Sequence, residues 1–373
     1  MKSITDAKKI LVIDVSNLLF RVASVQKFSP YAANASVDEL VAISFQVSLQ
    51  SIAKYYRRFK PDFLIFAFDG DNNWRKTYTE KNKSRLPYKG NRVRDPAMEH
   101  YYRLLKDFNK AVSAFTSICC IKIDTLEADD AIAGICQMYA TTENEITIVS
   151  GDKDFTQLLK LPNVKLVNPD DGKCRNTPGS KDYEPDIDYW IFKKCVRGDG
   201  GDHVPSVWPR VREDKIKAAY KNDFDRLNFM NHRWSHTVIV DVTAPDGSIV
   251  PTEVVNNYRV GDLFEENKIL MDLSLQPPEQ RALLEDGIKL VLDKMPQMKY
   301  SHFNFVRFLA EYGLEKVQQD AIKFTEMFTN NQRFIKGEKT DESTQVLTEK
   351  KEKLSPLEQL KLLKQQNSKL LAF

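Results

Sequence analysis

The chain has 373 residues, 42% of them apolar and 29% charged, with a formal net charge of +3. That length holds one large or two ordinary domains around a buried core, and the composition is that of a soluble globular protein. No apolar run reaches the ~18 residues of a membrane span, and the polar opening 1–9 leads straight into an apolar strand, so neither a membrane protein nor an exported one is expected. The five cysteines, Cys119, Cys120, Cys136, Cys174 and Cys195, fit neither a disulfide framework nor a Cys-x-x-Cys motif and read as reduced thiols of a cytoplasmic protein. His232 and His236 lie four apart with no second ligand pair nearby in sequence, which leaves zinc without support.

Short apolar runs at 10–13, 63–68, 118–123, 146–149 and 164–167 predict strands. Between them, Leu40, Ile43, Val47, Ile52 and Tyr55 recur at helical spacing, and Ile132, Ile135, Cys136 and Tyr139 share one helix face. Strands alternating with helices predict an α/β fold with a parallel sheet. The basic residues are not spread evenly. Residues 75–94 hold eight Lys or Arg against one acid, Glu80, and Lys54, Arg57, Arg58 and Lys60 flank Tyr55 and Tyr56. Such segregation points to a bound polyanion. After about residue 196 the strand signals thin. A Gly/Asp/Pro-rich turn at 197–205 precedes a basic stretch, 238–250 reads as a hairpin around Pro245-Asp246-Gly247, and 283–328 is helical in pattern. Residues 336–348 read as a charged linker, followed by a Leu-rich segment to the end. The predicted division is therefore 1–196, a mostly helical 197–335, and a linker with an amphipathic tail at 336–373.

Three of the strand-like runs end on acids, at Asp14, Asp69 and Asp152, with Asp154 two residues further on. In a doubly wound sheet, ligands bind beyond the carboxyl ends of the strands, so the pattern aims these acids at one crevice. Glu127-Ala-Asp129-Asp130 adds acids at a helix start, and Gly198-Asp199-Gly-Gly-Asp202 adds a loop pair. Each group also has an ordinary structural reading. Asp124 to Glu127 has capping-box spacing, Asp154 could be an N-cap, and Asp199 and Asp202 could sit in a solvated loop. Together they read differently. Two like charges ~4 Å apart repel by about 4 kcal/mol at an effective dielectric near 20, so a convergent set requires cations. Oxygen-only ligands select hard ones, magnesium or manganese, and two such ions suit displacement at a phosphodiester.

Ile13-Asp14-Val-Ser-Asn17, Phe68-Asp69-Gly70, Tyr88-Lys89-Gly-Asn-Arg92, Glu127-Ala-Asp-Asp130, Gly151-Asp-Lys-Asp-Phe155 and Gly198-Asp-Gly-Gly-Asp202 appear in an order and spacing that resembles the flap-endonuclease or 5′–3′ exonuclease superfamily. Within it, the chain is most similar to the ribonuclease H group of T-even bacteriophages, over roughly residues 8–330. The resemblance implies a PIN-like parallel-sheet nuclease domain with a helical arch or bridge, followed by a helical duplex-binding domain of helix-three-turn-helix type. It implies a first metal held by Asp14, Asp69, Glu127 and Asp129, a second by Asp152, Asp154 and Asp199, and auxiliary places for Asp130 and Asp202. Lys89 and Arg92 are implied to face the scissile phosphate. A cation there stabilises developing charge, which supports the assignment independently. Arg75, Lys76, Lys81, Lys83 and Tyr88 are expected to bind nucleic acid, as are Arg210, Arg212, Lys215 and Lys217 in the second domain.

The resemblance departs at 207–215, where the family often carries a Gly-x-Gly turn and this chain has Val-Trp-Pro-Arg-Val-Arg-Glu-Asp-Lys. Without those glycines the backbone approaches a phosphate or a potassium ion less easily. The expected activity is a magnesium-dependent 5′ nuclease, an exonuclease and flap endonuclease that removes RNA primers during DNA replication. Its expected substrates are DNA flaps, nicked duplex or RNA–DNA hybrid, and it is expected to act as a monomer, in host cytoplasm if phage-encoded. The alternatives are a non-catalytic DNA-binding scaffold and a PIN-type single-strand RNA nuclease. Leu357, Leu360, Leu363, Leu370, Leu371 and Phe373 in the tail either fold back on the core or dock on a sliding clamp or single-strand-binding protein.

Overall fold

Each predicted apolar run forms a strand. The computed structural model describes residues 4–181, 183–243, 249–295, 301–319 and 321–332, so the linker and tail expected at 336–373 lie outside the described residues. β1 (Lys9–Asp14), β2 (Phe63–Phe68), β3 (Cys119–Lys122), β4 (Glu145–Val149) and β5 (Val164–Val167) form one sheet in the order β3-β2-β1-β4-β5. All four pairings are parallel, with Asp14 opposite Ala67 and Ile13 opposite Val149. The strands run apolar throughout because both faces are covered. Leu11, Ile13, Leu64 and Phe66 enter one core, while Ile10, Val12, Phe63 and Ile65 enter the other.

α1 (Val15–Lys27), α2 (Val37–Phe59) and, after the short α3 (Trp74–Lys81), α4 (Glu99–Phe115) carry the first of these cores. α2 starts on a capping box between Ser36 and Glu39. α5 (Ala128–Tyr139) and a 3-10 segment at Asp154–Lys160 carry the second. Beyond β5, α6 (Ile187–Arg197), α7 (Glu213–Lys221), α8 (Asp223–Asn231), β6 (Arg233–Thr243), β7 (Ile249–Arg259) and α9 (Val260–Met271) follow in order. The helices among them pack around Phe192, Val207, Ile216 and Phe264 as a third core. The hairpin is longer than its sequence signal, pairing from Arg233–Arg259 out to Thr243–Ile249. Among the described residues no helix is long and apolar enough to cross a membrane.

The last helices do not stay with that third core. α10 (Pro278–Lys294) sets Leu284 and Ile288 into the core under α5, and α11 (His302–Glu311), α12 (Glu315–Gln319) and α13 (Ala321–Phe328) close the opposite face with Phe305, Phe308, Phe324 and Phe328. The expected unit 197–335 is thus split. Its part up to α9 builds a separate core, and the rest returns to the nuclease sheet to bury its apolar faces. Asn331 completes the return, donating to and accepting from the Leu64 backbone at 2.8 and 2.9 Å.

Two predictions follow from the packing. A Cβ at Gly134 of α5 would stand 2.8 Å from Ile288 and 2.9 Å from Leu284. Gly134→Val should therefore lower stability by about 1–3 kcal/mol, the usual cost of overpacking. A urea midpoint equal to wild type would show that α10 is not clamped to α5.

The second concerns Glu213, at the start of α7, which accepts from Tyr189 Oη at 2.7 Å, Arg197 Nη2 at 3.0 Å and Lys193 Nζ at 3.1 Å. Burial would raise this carboxyl, but those three donors outweigh it and bring it from 4.5 down to about 2. A depressed value stabilises the fold fully above the ordinary value, and the contribution fades as pH falls through the folded one. Glu213→Gln should be less stable than wild type at pH 7, with the gap closing between pH 4.5 and 2. A pH-independent gap in thermal melts would count against this account.

Candidate active site

β1 lies at the point where the sheet order reverses, with β2 on one side and β4 on the other. The crevice at the carboxyl ends of these strands is where a doubly wound sheet binds ligands. Asp14 ends β1 and is buried at 3% exposure. One of its oxygens caps α1 by accepting from the Asn17 N–H at 3.1 Å, and the other accepts from Ser150 Oγ at 2.8 Å. Asp69 follows β2, where its N–H donates to Ser16 Oγ at 3.0 Å and its carboxylate accepts from the Ala128 N–H at 2.9 Å. Gly70 is required next to it. The Gly70 N–H donates to Leu126 O at 2.8 Å, and a Cβ there would lie 2.2 Å from Ile123 O. The chain after β2 is therefore stitched to the loop that delivers Glu127 and Asp129.

Asp152 and Asp154 follow β4, with the Asp154 N–H donating to an Asp152 oxygen at 2.8 Å. Asp199 begins a tight turn closed by paired bonds with Val204, and its carboxylate accepts from the N–H groups of Gly201 and Asp202 at 2.8 and 3.2 Å. Gly198 makes that turn possible at φ 73°, since a Cβ would stand 2.3 Å from Val204 O. The strand-end acids, the α5 acids and the loop acids thus gather at one end of the sheet.

Cations stand among the carboxylates. Lys89 Nζ bonds Glu127 and lies 3.7 Å from Asp202, while Arg92 Nη2 donates to Asp202 at 2.8 Å. Lys89 and Arg92 sit in a non-helical stretch of the connection between α3 and α4, with Lys89 at φ 53°, where the resemblance implied a helical arch. Lys194 of α6 bonds Asp154 and, at 2.8 Å, Asp199. Sequence reasoning missed it, because nothing local marks one lysine of a helix as facing acids far away in the chain. It likewise missed Ser150, and Arg21 of α1, which pairs with Asp170 beside Gly151.

Three expected roles change. Arg75, placed among the nucleic-acid contacts, is 2% exposed. It donates to both oxygens of Asp130 at 2.7 and 2.8 Å, to Glu127 at 3.0 Å and to Leu270 O at 2.8 Å. A buried guanidinium with its donors engaged cannot reach a phosphate. Asp130, expected as an auxiliary metal residue, has both oxygens taken by Arg75, with Trp74 Nε1 and Gln276 Nε2 also donating at 3.2 and 3.3 Å. Tyr88 is 4% exposed, and its hydroxyl lies 3.0 Å from Glu127 and 2.9 Å from Asp202. It orients acids and does not stack on a base. By contrast, Lys76, Lys81, Lys83, Arg210, Arg212, Lys215 and Lys217 are exposed as expected, with Lys215 over the Trp208 ring at 4.8 Å.

The acids divide by their partners. Burial would raise Glu127, Asp130 and Asp199, but Arg75 and Lys89, Arg75, and Lys194 respectively hold them below the ordinary carboxylate range. Asp14 is pushed up to about 7 by burial and by Asp69, and Asp154 to about 6 by burial, which outweighs what the neighbouring Lys194 gives back. Asp69 and Asp129 are raised too, burial first. Asp69 is open at its own surface, yet protein and Glu127 crowd it at longer range. The raised group is short of positive charge. Its donors are all oxygen, which fits a hard divalent cation. Among the described residues no three His, Cys, Asp or Glu side chains form a ready ligand cage. The ammonium groups of Lys89 and Lys194 lie between carboxylates instead.

A parallel sheet with a carboxylate-lined switch point and a basic connection beside it is an arrangement suited to phosphodiester chemistry. Residues 9–184 match the 5′-3′ exonuclease N-terminal, resolvase-like domain. Among its relatives, the ribonuclease H of Enterobacteria phage T4 is 28% identical over 279 residues, covering 72% of this chain and 82% of that protein. The flap endonuclease Xni of Shewanella loihica is 26% identical over 201 residues, covering 53% and 71%. In fold, the chain is similar to the D15 flap endonuclease of bacteriophage T5, whose crystal structure holds DNA and metal ions. The TM-score is 0.51 at 18% identity, over 77% of this chain and 98–99% of such T5 structures.

Arg75→Ala distinguishes a core ion pair from a substrate contact. Breaking one partner of a buried pair leaves uncompensated charge and costs about 3–5 kcal/mol. The variant should lose that much in urea unfolding. A fold of wild-type stability with weaker DNA binding would restore the substrate role.

Proposed function

We propose that this chain is a magnesium-dependent, structure-specific 5′ nuclease, a 5′–3′ exonuclease and flap endonuclease that cuts DNA flaps, nicked duplex and RNA–DNA hybrid and removes RNA primers during replication. The observation that carries this reading is the gathering of strand-end acids at the sheet's switch point, where Asp14, Asp69 and Asp129 are raised, first by burial and then by neighbouring carboxylates. Two magnesium ions, replaceable by manganese, would be held by Asp14, Asp69, Glu127 and Asp129 and by Asp152, Asp154 and Asp199. When bound they supply charge stabilisation and a nucleophile at neutral pH.

The chain's own residues prepare the rest. Lys89 and Lys194 neutralise Glu127, Asp154 and Asp199 and keep the cluster together before cations and substrate arrive. Tyr88 fixes Glu127 relative to Asp202, so the turn at 199–204 and the start of α5 move as one. Arg92, with a side chain 57% exposed, is a cation able to swing from Asp202 to a phosphate. The exposed bases at 76–83 and 210–217 attract the backbone of the duplex and the flap by charge alone. The tail at 355–373 is proposed to recruit a sliding clamp or single-strand-binding protein to a monomeric nuclease acting in the cytoplasm.

Asp152→Ala combined with Asp154→Ala removes ligands without touching Arg75 or the sheet core. The loss of several kcal/mol of transition-state stabilisation should reduce flap cleavage by roughly 10³-fold or more, with DNA affinity in chelator retained. Magnesium-dependent cleavage at the wild-type rate in single-turnover assays would sink the proposal.

A further inference from the structure

A cleft of about 530 Å³ opens beside the carboxylate site. The loop after β5 forms one wall with Lys173, Arg175 and Lys181. Lys153 and Trp190 stand across it, and Arg58 of α2 completes the lining. Among the described lining residues, five cations face a single carboxylate, Asp171. The wall is well defined. Cys174 bridges Val167, the Arg175 N–H donates to Leu166 O at 2.8 Å, and Arg58 donates to Gly172 O, so the loop is held as a return strand against β5. Arg175 contributes a second, independent sign. Its Nε is buried and has no hydrogen-bond partner among the described residues. A buried guanidinium N–H without an acceptor is an unmet demand that a phosphate oxygen satisfies.

The neighbouring site says which phosphate. Lys153 lies between Asp152 and Asp154 in the chain and also lines the cleft, so the two share a wall. A strand held at the carboxylates brings its next phosphates to Lys153 without leaving the protein. The volume falls in the range that encloses a small-molecule ligand, and Trp190 offers an aromatic wall to a base.

We propose that this cleft is a nucleotide subsite that holds one single-stranded nucleotide of the substrate, its phosphates on Lys173, Arg175 and Lys181 and its base beside Trp190. The proposal rests on the nuclease reading, and it extends the substrate site beyond the acids and the basic connection to the far edge of the sheet.

The test is fluorescence anisotropy in chelator with 5′-labelled single-stranded 12-mers, one DNA and one RNA, at several salt concentrations. Lys173 and Lys181 are exposed, so Lys173→Ala/Lys181→Ala should fold normally. It should bind both oligonucleotides about tenfold more weakly, and its log Kd against log salt slope should fall by about 1.4, at about 0.7 per phosphate contact on a single strand. The wild-type tryptophan fluorescence change on binding should be largely absent in Trp190→Phe. Wild-type protein that binds neither oligonucleotide overturns the nuclease reading and the subsite together. Wild-type binding with an unchanged Kd and slope in the double variant, or an unchanged fluorescence response in Trp190→Phe, overturns the subsite alone.

Discussion

One buried guanidinium organises the acidic end of this molecule. Arg75 leaves water entirely and is matched by Asp130 and Glu127, with its remaining Nε donor on the carbonyl at the end of α9. Such a group is tolerable only when its hydrogen bonds and charge are both met, which makes its surroundings rigid. Three elements are tied by this one side chain: α3, which carries it, the start of α5, and the last turn of α9. Glu127 owes its place to the same knot, since Arg75 and Tyr88 hold one of its oxygens and leave the other to Lys89.

From that point the electrostatics divide the site. Glu127 and Asp130, which meet Arg75, and Asp199, which meets Lys194, are held below the ordinary carboxylate range, while Asp14, Asp69 and Asp129 crowd one another in a desolvated crevice and are raised. The fold keeps this unfavourable arrangement because the cores on both faces of the sheet hold the strand ends together. Repulsion within the crevice becomes affinity for hard cations, and the same field turns away anions until cations arrive.

The chain's return path explains how a crevice can be held so firmly. The third core, with α6 to α9, takes in Tyr88 and is joined to the sheet unit through Lys194, Arg75 and the Gln157 amide, which donates to Met271 O at 3.2 Å. The later helices then close both sheet faces, with α10 against α5 and α11 to α13 against α2 and α4. Two passages of the chain therefore clamp the same sheet, and the first of them also reaches the acids through Lys194 and Asp199.

Much of this was legible in the residue order. Strands buried on both faces must be short apolar runs, and an acid at the end of such a run has only the carboxyl edge of a parallel sheet to occupy. So β1 to β5 and the convergence of Asp14, Asp69, Asp152 and Asp154 followed from local pattern. The partners did not. Arg75 and Lys89 lie in the same basic run and look alike there, and only an acid 55 residues away, at Asp130, makes the first a core residue. Lys194 is one lysine on an amphipathic helix until α6 packs beside Asp154. The return of α10 to α13 was hidden for the same reason: an apolar stripe states that a face is buried but not against what. Periodicity and charge are properties of neighbours along the chain, whereas the pairing of a buried ion or a helix face is decided by whichever distant group the fold brings to it.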